Sequence, residues 1–78
     1  MKSIDLHGLD LAESLLLVDR FLADCIYKHE KQVMIIHGNG EGVLKQGIRQ
    51  FLSNNSMVVS YRPGGYGEGY DGVTIVSL

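Results

Sequence analysis

The sequence predicts an α/β fold: a two-layer βαβαββ sandwich, with a four-stranded mixed sheet and two helices on one face. Three observations predict it. Short apolar or alternating segments of strand length are interleaved with two longer segments whose apolar residues recur at helical spacing. The opening strand–helix–strand passage implies a right-handed crossover between parallel strands. Finally, 78 residues form one small domain, for which a single layer of helices on one sheet is about all the core can support.

Lys2 to Leu6 reads as the first strand, with Ile4 and Leu6 on one face and Ser3, Asp5 and His7 on the other. Gly8-Leu9 turns the chain. Asp10 is placed as an N-cap, and Glu13 three residues later completes a capping-box-like pair. The helix that follows runs to about Tyr27 or Lys28, on an apolar stripe of Leu11, Leu15, Val18, Leu22 and Cys25/Ile26. Val33 to Ile36 is apolar at every position, which predicts a strand in a parallel pair or covered on both faces. A second helix spans about Val43 to Ser53, burying Leu44, Ile48, Phe51 and Leu52, and Asn54-Asn55 ends it. Met57 to Arg62 and Val73 to Leu78 complete the sheet. Between them, Pro63 to Gly72 holds five of the ten glycines; it reads as a flexible loop, long for a hairpin and so a binding loop.

Composition narrows the function. A hydrophobic fraction of 45% is a globular value, no apolar run approaches the length of a membrane span, and no signal-peptide pattern opens the chain. The lone Cys25 cannot form an internal disulfide, suits a reducing compartment such as the cytoplasm, and falls on the apolar stripe as a core residue. The formal charge of -2 argues against broad electrostatic binding of nucleic acid. A local basic face is still compatible with it, because Lys45, Arg49 and Arg62 lie near the glycine segments while Asp10, Glu13, Asp19 and Asp24 crowd the first helix.

The most informative stretch is His37-Gly38-Asn39-Gly40-Glu41-Gly42, between a strand and a helix. Glycines there let backbone N–H groups converge at a helix N-terminus, a natural anion site. A mononucleotide or dinucleotide loop is excluded on detail. The glycines spell G-x-G-x-G, no acid follows about twenty residues on, and Val43-Leu44 stand where a phosphate-binding Lys and Ser/Thr would be needed.

Two motifs together carry a resemblance to a known family. Ile4-Asp5-Leu6-His7-Gly8 resembles the hydrophobic-Asp-Leu-His-Gly opening of the Smr (small MutS-related) domain, and His37-Gly38-Asn39-Gly40 resembles its His-Gly-x-Gly signature. The closing Gly64 to Val76 is similar to the end of Smr domains in the recombination-suppressing MutS paralogue of bacteria. The likeness runs from Ile4 to Leu78. His7 stands where many domains of that paralogue carry Arg, and Tyr70-Asp71 where smaller residues are common. The resemblance implies a fold like the C-terminal domain of bacterial translation initiation factor three. It implies endonuclease activity on DNA or RNA, in recombination control or in rescue of stalled ribosomes, with the ribosome as a partner in some members. It also implies that ATPase and clamp regions of a longer parent chain can precede such a domain.

Asp5, His7 and His37 are the candidate catalytic residues. If the first two strands are parallel neighbours, both histidines lie at C-terminal strand ends, where ligand crevices of open α/β sheets form. Histidine can act as base or acid near neutrality, with Asp5 orienting a partner; the sequence assigns those roles to neither histidine individually. The bland alternative is that Asp5 caps the turn and His37 merely bonds the loop. Gly38, Asn39, Gly40 and Gly42 are expected to hold the phosphate. Lys45 and Arg49, four apart on one helical face, are expected to contact successive phosphates, with Arg62 on the open face of the sheet. Tyr66 and Tyr70 could stack on unpaired bases. No cofactor is required; a divalent metal is optional, since Asp5, His7 and His37 could supply three ligands but match no metal motif. The alternative function is a non-catalytic module that docks on nucleic acid or a ribosome.

Overall fold

The computed structural model describes all 78 residues, Met1 to Leu78. The elements are β1 (Lys2–Asp5), α1 (Leu11–Tyr27), β2 (Gln32–Ile36), α2 (Val43–Ser53), β3 (Ser60–Pro63) and β4 (Val73–Ser77), with a 3-10 turn at Tyr70–Gly72. The sheet order is β1-β2-β4-β3. β1 and β2 are parallel, and both other pairings are antiparallel, as a mixed sheet requires.

α1 starts where the sequence places it. Asp10 is extended and its carboxylate accepts the Glu13 N–H at 2.8 Å. It ends in a Schellman arrangement: His29 takes a left-handed φ of 61°, its N–H bonds the Ile26 carbonyl, and the Glu30 N–H reaches Cys25. His29 is thus a helix terminator. The buried face of α1 is rotated from the expected stripe. Ser14, Val18, Leu22 and Cys25 are buried, while Leu11 and Leu15 are half-buried toward α2. Gly47 explains the rotation, because the Leu11 side chain occupies the space where a Cβ at position 47 would sit. The missing side chain lets the two helices approach.

One core forms between the helices and one face of the sheet: Val18, Leu22 and Cys25 of α1, Ile48 and Leu52 of α2, and Leu6, Val33, Ile35 and Val76. Val33 pairs with Val76 and Ile35 with Thr74, so these side chains share the helical face. Of the two expectations for β2, the parallel pair holds and cover on both faces does not: Met34 and Ile36 are only half-buried, since no helix covers the far side. On that far side Ile75 is nevertheless 1% exposed, in register between Met34 of β2 and Arg62 of β3.

Strand boundaries also shift. β1 ends at Asp5, one residue early, and Leu6 donates its N–H to Ile36 O at 2.7 Å while its side chain enters the core. β3 begins at Ser60, not Met57. Asn55 accepts the Met57 N–H on its side chain and the Val58 N–H on its carbonyl, so a turn occupies those residues. β3 then runs on through Pro63, tolerated on an edge strand. β4 ends at Ser77, and the Leu78 N–H turns to Lys31 O.

The loop after β3 departs most from expectation: its backbone is held by hydrogen bonds to the protein itself. Gly64 N–H bonds the carbonyls of Tyr70 and Val73, each at 3.1 Å. Glu68 accepts Gly65 N–H at 2.7 Å and a two-pronged contact from Arg62 at 2.8 and 3.3 Å. The Arg62 guanidinium, with the Gly65 N–H, pulls the Glu68 carboxyl down to about 2.

Candidate functional site

Because β1 and β2 are parallel neighbours, their C-terminal ends lie side by side, Asp5 opposite Ile36. The chain leaving β2 is pinned at once: the N–H groups of His37 and Gly38 both bond the Gly72 carbonyl, at 3.1 and 2.9 Å. Gly38 then takes φ 83°, and a Cβ there would stand 3.3 Å from that of His7. Two turns meet at this point, and a crevice of about 480 Å³ opens between them. His7 and Gly8 line one side, and His37 to Gly42 with the first turn of α2 line the other. A larger groove, about 570 Å³, separates α1 from α2, but it contains no histidine and no cationic side chain.

Gly42, the residue before α2, has φ 85° and offers no side-chain cap. The N–H groups of Val43, Leu44 and Lys45 therefore have no acceptor within the protein, and they border the crevice. An uncapped helix start with a lysine in its first turn favours an anion. Glu41, absent from the sequence candidates, also lines the crevice, although it is the one acid in the glycine turn.

The two histidines have opposite environments. His7 is exposed, and its Nδ1 lies 2.5 Å from the Asp5 carboxylate, which also accepts the His7 backbone N–H at 3.1 Å. These two bonds hold the Asp5 carboxyl below its ordinary value, so it is ionised at neutral pH. An ionised Asp5 accepts a hydrogen bond from the Nδ1–H of His7, which leaves Nε2 of the neutral ring as a free acceptor.

His37 is 4% exposed, on the helical side of the sheet. Its Nδ1 faces the Gly38 carbonyl at 3.0 Å and must therefore donate. In the neutral ring Nε2 then accepts the Thr74 hydroxyl at 2.9 Å. The Thr74 oxygen in turn lies 3.5 Å from Arg49 Nε–H. Both ring nitrogens are thus used internally.

Burial is the main cause pushing the His37 pKa below its ordinary 6.5, and the charges of Arg49 and Lys45 add to it. A histidine depressed in the folded state is protonated first in the unfolded chain, so its stabilising contribution is complete above pH 6.5 and lost as pH falls through the folded value. The denaturation midpoint is expected to drop as pH falls below 6.5, with the His37 ring still neutral just below that pH by NMR. A flat profile over that window, or a ring titrating at its ordinary value, contradicts the buried neutral assignment.

The structure therefore brings His7, His37, Gly38, Asn39, Gly40, Gly42 and Lys45 to one crevice, with Asp5 joined through His7. Two cations are elsewhere. Arg49 lies on the Thr74 hydroxyl with its Nη2 buried and unpartnered, so it does not share an open face with Lys45. Arg62 does face the open side of the sheet, in register with Ile75, but its guanidinium is occupied by Glu68. No group of three or more His, Cys, Asp or Glu side chains gathers in a metal-binding cluster. Thr74 was missed. A signal existed: it shares its parity on β4 with the inward Val76, and a buried hydroxyl needs a partner.

The Smr domain family model matches residues 4–78. The chain belongs to the Smr family. It is 50% identical over 76 residues to endonuclease MutS2 of Caldanaerobacter subterraneus subsp. tengcongensis, and 49% identical over 75 to that of Acetivibrio thermocellus. These matches cover 97% and 96% of the chain but only 10% of each relative, so the chain spans about a tenth of the length of the curated relatives it matches. The crystal structure of the Smr domain of Thermus thermophilus MutS2 superimposes with a TM-score of 0.97 at 40% identity, covering 100% of this chain and 98% of that one. YdaL, a stand-alone small MutS-related protein of Escherichia coli, shares the fold at a TM-score of 0.92 and 22% identity, over 97% of this chain and 63% of that one. In this Smr domain the two sequence signatures, Ile4–Gly8 and His37–Gly40, meet at one crevice. No helix is long and apolar enough to cross a membrane.

Proposed function

We propose that this Smr domain binds DNA or RNA with a backbone phosphate in the crevice and cleaves the phosphodiester there. The observation that carries the reading is the Asp5–His7 pair, with Nε2 unpaired, beside an uncapped helix start and Lys45. The names of the MutS2 relatives support the same class of chemistry. A phosphate at the first N–H groups of α2 leaves its developing negative charge among donors already fixed in place. His7 Nε2 removes the proton from the attacking water, and the Asp5 carboxylate stabilises the imidazolium that results. The departing oxygen lies in line on the opposite side of phosphorus and takes its proton from solvent, while His7 gives up its proton to solvent before the next turnover. His37 is a positioning residue: its Nδ1–H holds the Gly38 carbonyl and so the shape of the phosphate-binding turn.

Incubation of the pure domain with labelled single- and double-stranded DNA and RNA, with and without chelator, tests this reading. Cleavage insensitive to chelator places the chemistry on the protein's own side chains; binding without cleavage of any substrate leaves a docking module. The phosphate contact has its own expected result. Lys45→Ala should weaken binding about equally for all sequences and lower the salt slope by about one. Arg62→Ala should leave the slope at the level of the control Lys28→Ala, because Arg62 is held by Glu68. If instead Arg62 changes the slope and Lys45 does not, the polymer lies across the open sheet face.

A further inference from the structure

The glycine-rich loop between β3 and β4 carries two exposed aromatic rings that folding does not use. Tyr66 is 93% exposed, the most of any large apolar side chain in the protein, and Tyr70 is 58% exposed. Their base is ordered by bonds of Gly64 to Tyr70 and Val73, and by Glu68 bridging Gly65 and Arg62. The rings are thus presented from a fixed backbone, which reduces the ordering cost of a contact.

Tyr70 adds a second indication. It has φ 50°, a left-handed conformation that a side chain disfavours, and it follows Gly69 at φ 96°. Glycine would fit position 70 with less strain, in a loop that already holds five glycines. Strain of this kind points to a use for the side chain.

The location decides what that use is. Two residues beyond Tyr70, the Gly72 carbonyl accepts both His37 and Gly38 N–H groups, and a Cβ at Gly72 would sit 3.4 Å from the Asn39 side chain. Asn39 lines the crevice. The loop that carries Tyr70 is therefore joined through Gly72 to the wall of the crevice. The only cation bonded to the loop, Arg62, is neutralised by Glu68, and Asp71 is exposed, so the loop is unsuited to holding a second phosphate. An aromatic face beside a phosphate site accepts the flat face of a nucleobase.

We propose that Tyr66 and Tyr70 form a stacking platform for unpaired nucleobases flanking the phosphate in the crevice, and that it gives the domain a preference for unpaired over fully paired nucleic acid. This rests on the phosphodiester reading above. In a continuous duplex the base faces are already stacked on one another and the platform has nothing to receive. Selection is for an unpaired base, with little regard for which base, because every base has a π-face.

The test compares affinities of wild type, Tyr66→Ala, Tyr70→Gly and Tyr66→Phe for a single strand, a duplex, and a single strand carrying abasic positions, in DNA and in RNA at one salt concentration. Tyr70→Gly keeps the left-handed backbone, and thermal unfolding verifies that the variants are folded. Loss of either ring should weaken single-strand binding about 5- to 100-fold, leave duplex binding within about twofold, and be restored by Phe at position 66. The abasic strand should bind wild type no better than it binds the variants. Undiminished single-strand binding in both ring-deleted variants, or an equal loss on duplex, overturns the platform while leaving the phosphate site standing. Absence of wild-type binding to every nucleic acid overturns both.

Discussion

His7→Ala is expected to reduce phosphodiester cleavage by about 10²- to 10⁴-fold, the usual contribution of a positioned proton-transfer group, with binding changed far less. The physical basis is specific. His7 is exposed and its only side-chain bond is to Asp5, so removing it leaves no buried group unpaired and the fold should persist. What disappears is the free Nε2 beside the uncapped start of α2. Asp5→Asn should follow with a smaller loss, because an amide can accept from Nδ1–H but cannot stabilise the imidazolium. Rates and binding constants on one labelled substrate separate the two effects. Cleavage that survives in His7→Ala transfers the chemistry to another group of the crevice, where His37, Glu41 and Lys45 are the ionisable side chains that remain.

Thr74→Val should destabilise the domain by about 2–3 kcal/mol, although valine matches threonine in shape and is a good strand former. Thr74 is fully buried and its hydroxyl serves two partners, donating to His37 Nε2 and accepting from Arg49 Nε–H. The methyl of valine leaves both unpaired, and Arg49 already has one buried nitrogen without a partner. An unsatisfied buried group costs about 1–3 kcal/mol; the figure is kept low because Arg49 is only partly buried. For a domain of this size a loss of that order lowers the melting temperature by roughly 10–20 °C. Thr74→Ser keeps the hydroxyl and should cost only about 1 kcal/mol, the price of a methyl group. A valine variant as stable as the serine one means the chain from Arg49 to His37 contributes nothing to stability. The same variant frees the Nε2 edge of the His37 ring, whose Nδ1–H holds the Gly38 carbonyl, and cleavage should fall as the ring loses its fixed position even though His7 is intact.

The architecture was legible because its signals are local. Asp10 and Glu13 mark the start of α1, the apolar parity of β2 marks a strand, and His37 to Gly42 marks a turn into a helix; each depends on residues within a few positions of one another. Two local readings failed where a turn or a partner helix intervened. Asn55 bonds delay β3 to Ser60, and the close approach at Gly47 turns α1 so that Ser14, rather than Leu11, faces the sheet.

The site divides in the same way. By itself the sequence determined the βαβαββ order, the placement of Asp5 beside His7, and the glycine turn before α2, all set by spacing along one segment. Only the tertiary structure decided which histidine is free. His37 and Thr74 are 37 residues apart and meet because β2 and β4 pair antiparallel in one register. That pairing buries the His37 ring and uses both its nitrogens. Likewise the β3–β4 hairpin brings Glu68 to Arg62 and occupies a guanidinium that the sequence leaves open for a phosphate. A side chain's chemical type is fixed by the sequence, but whether it has a proton or a charge to offer depends on the partners that folding places against it.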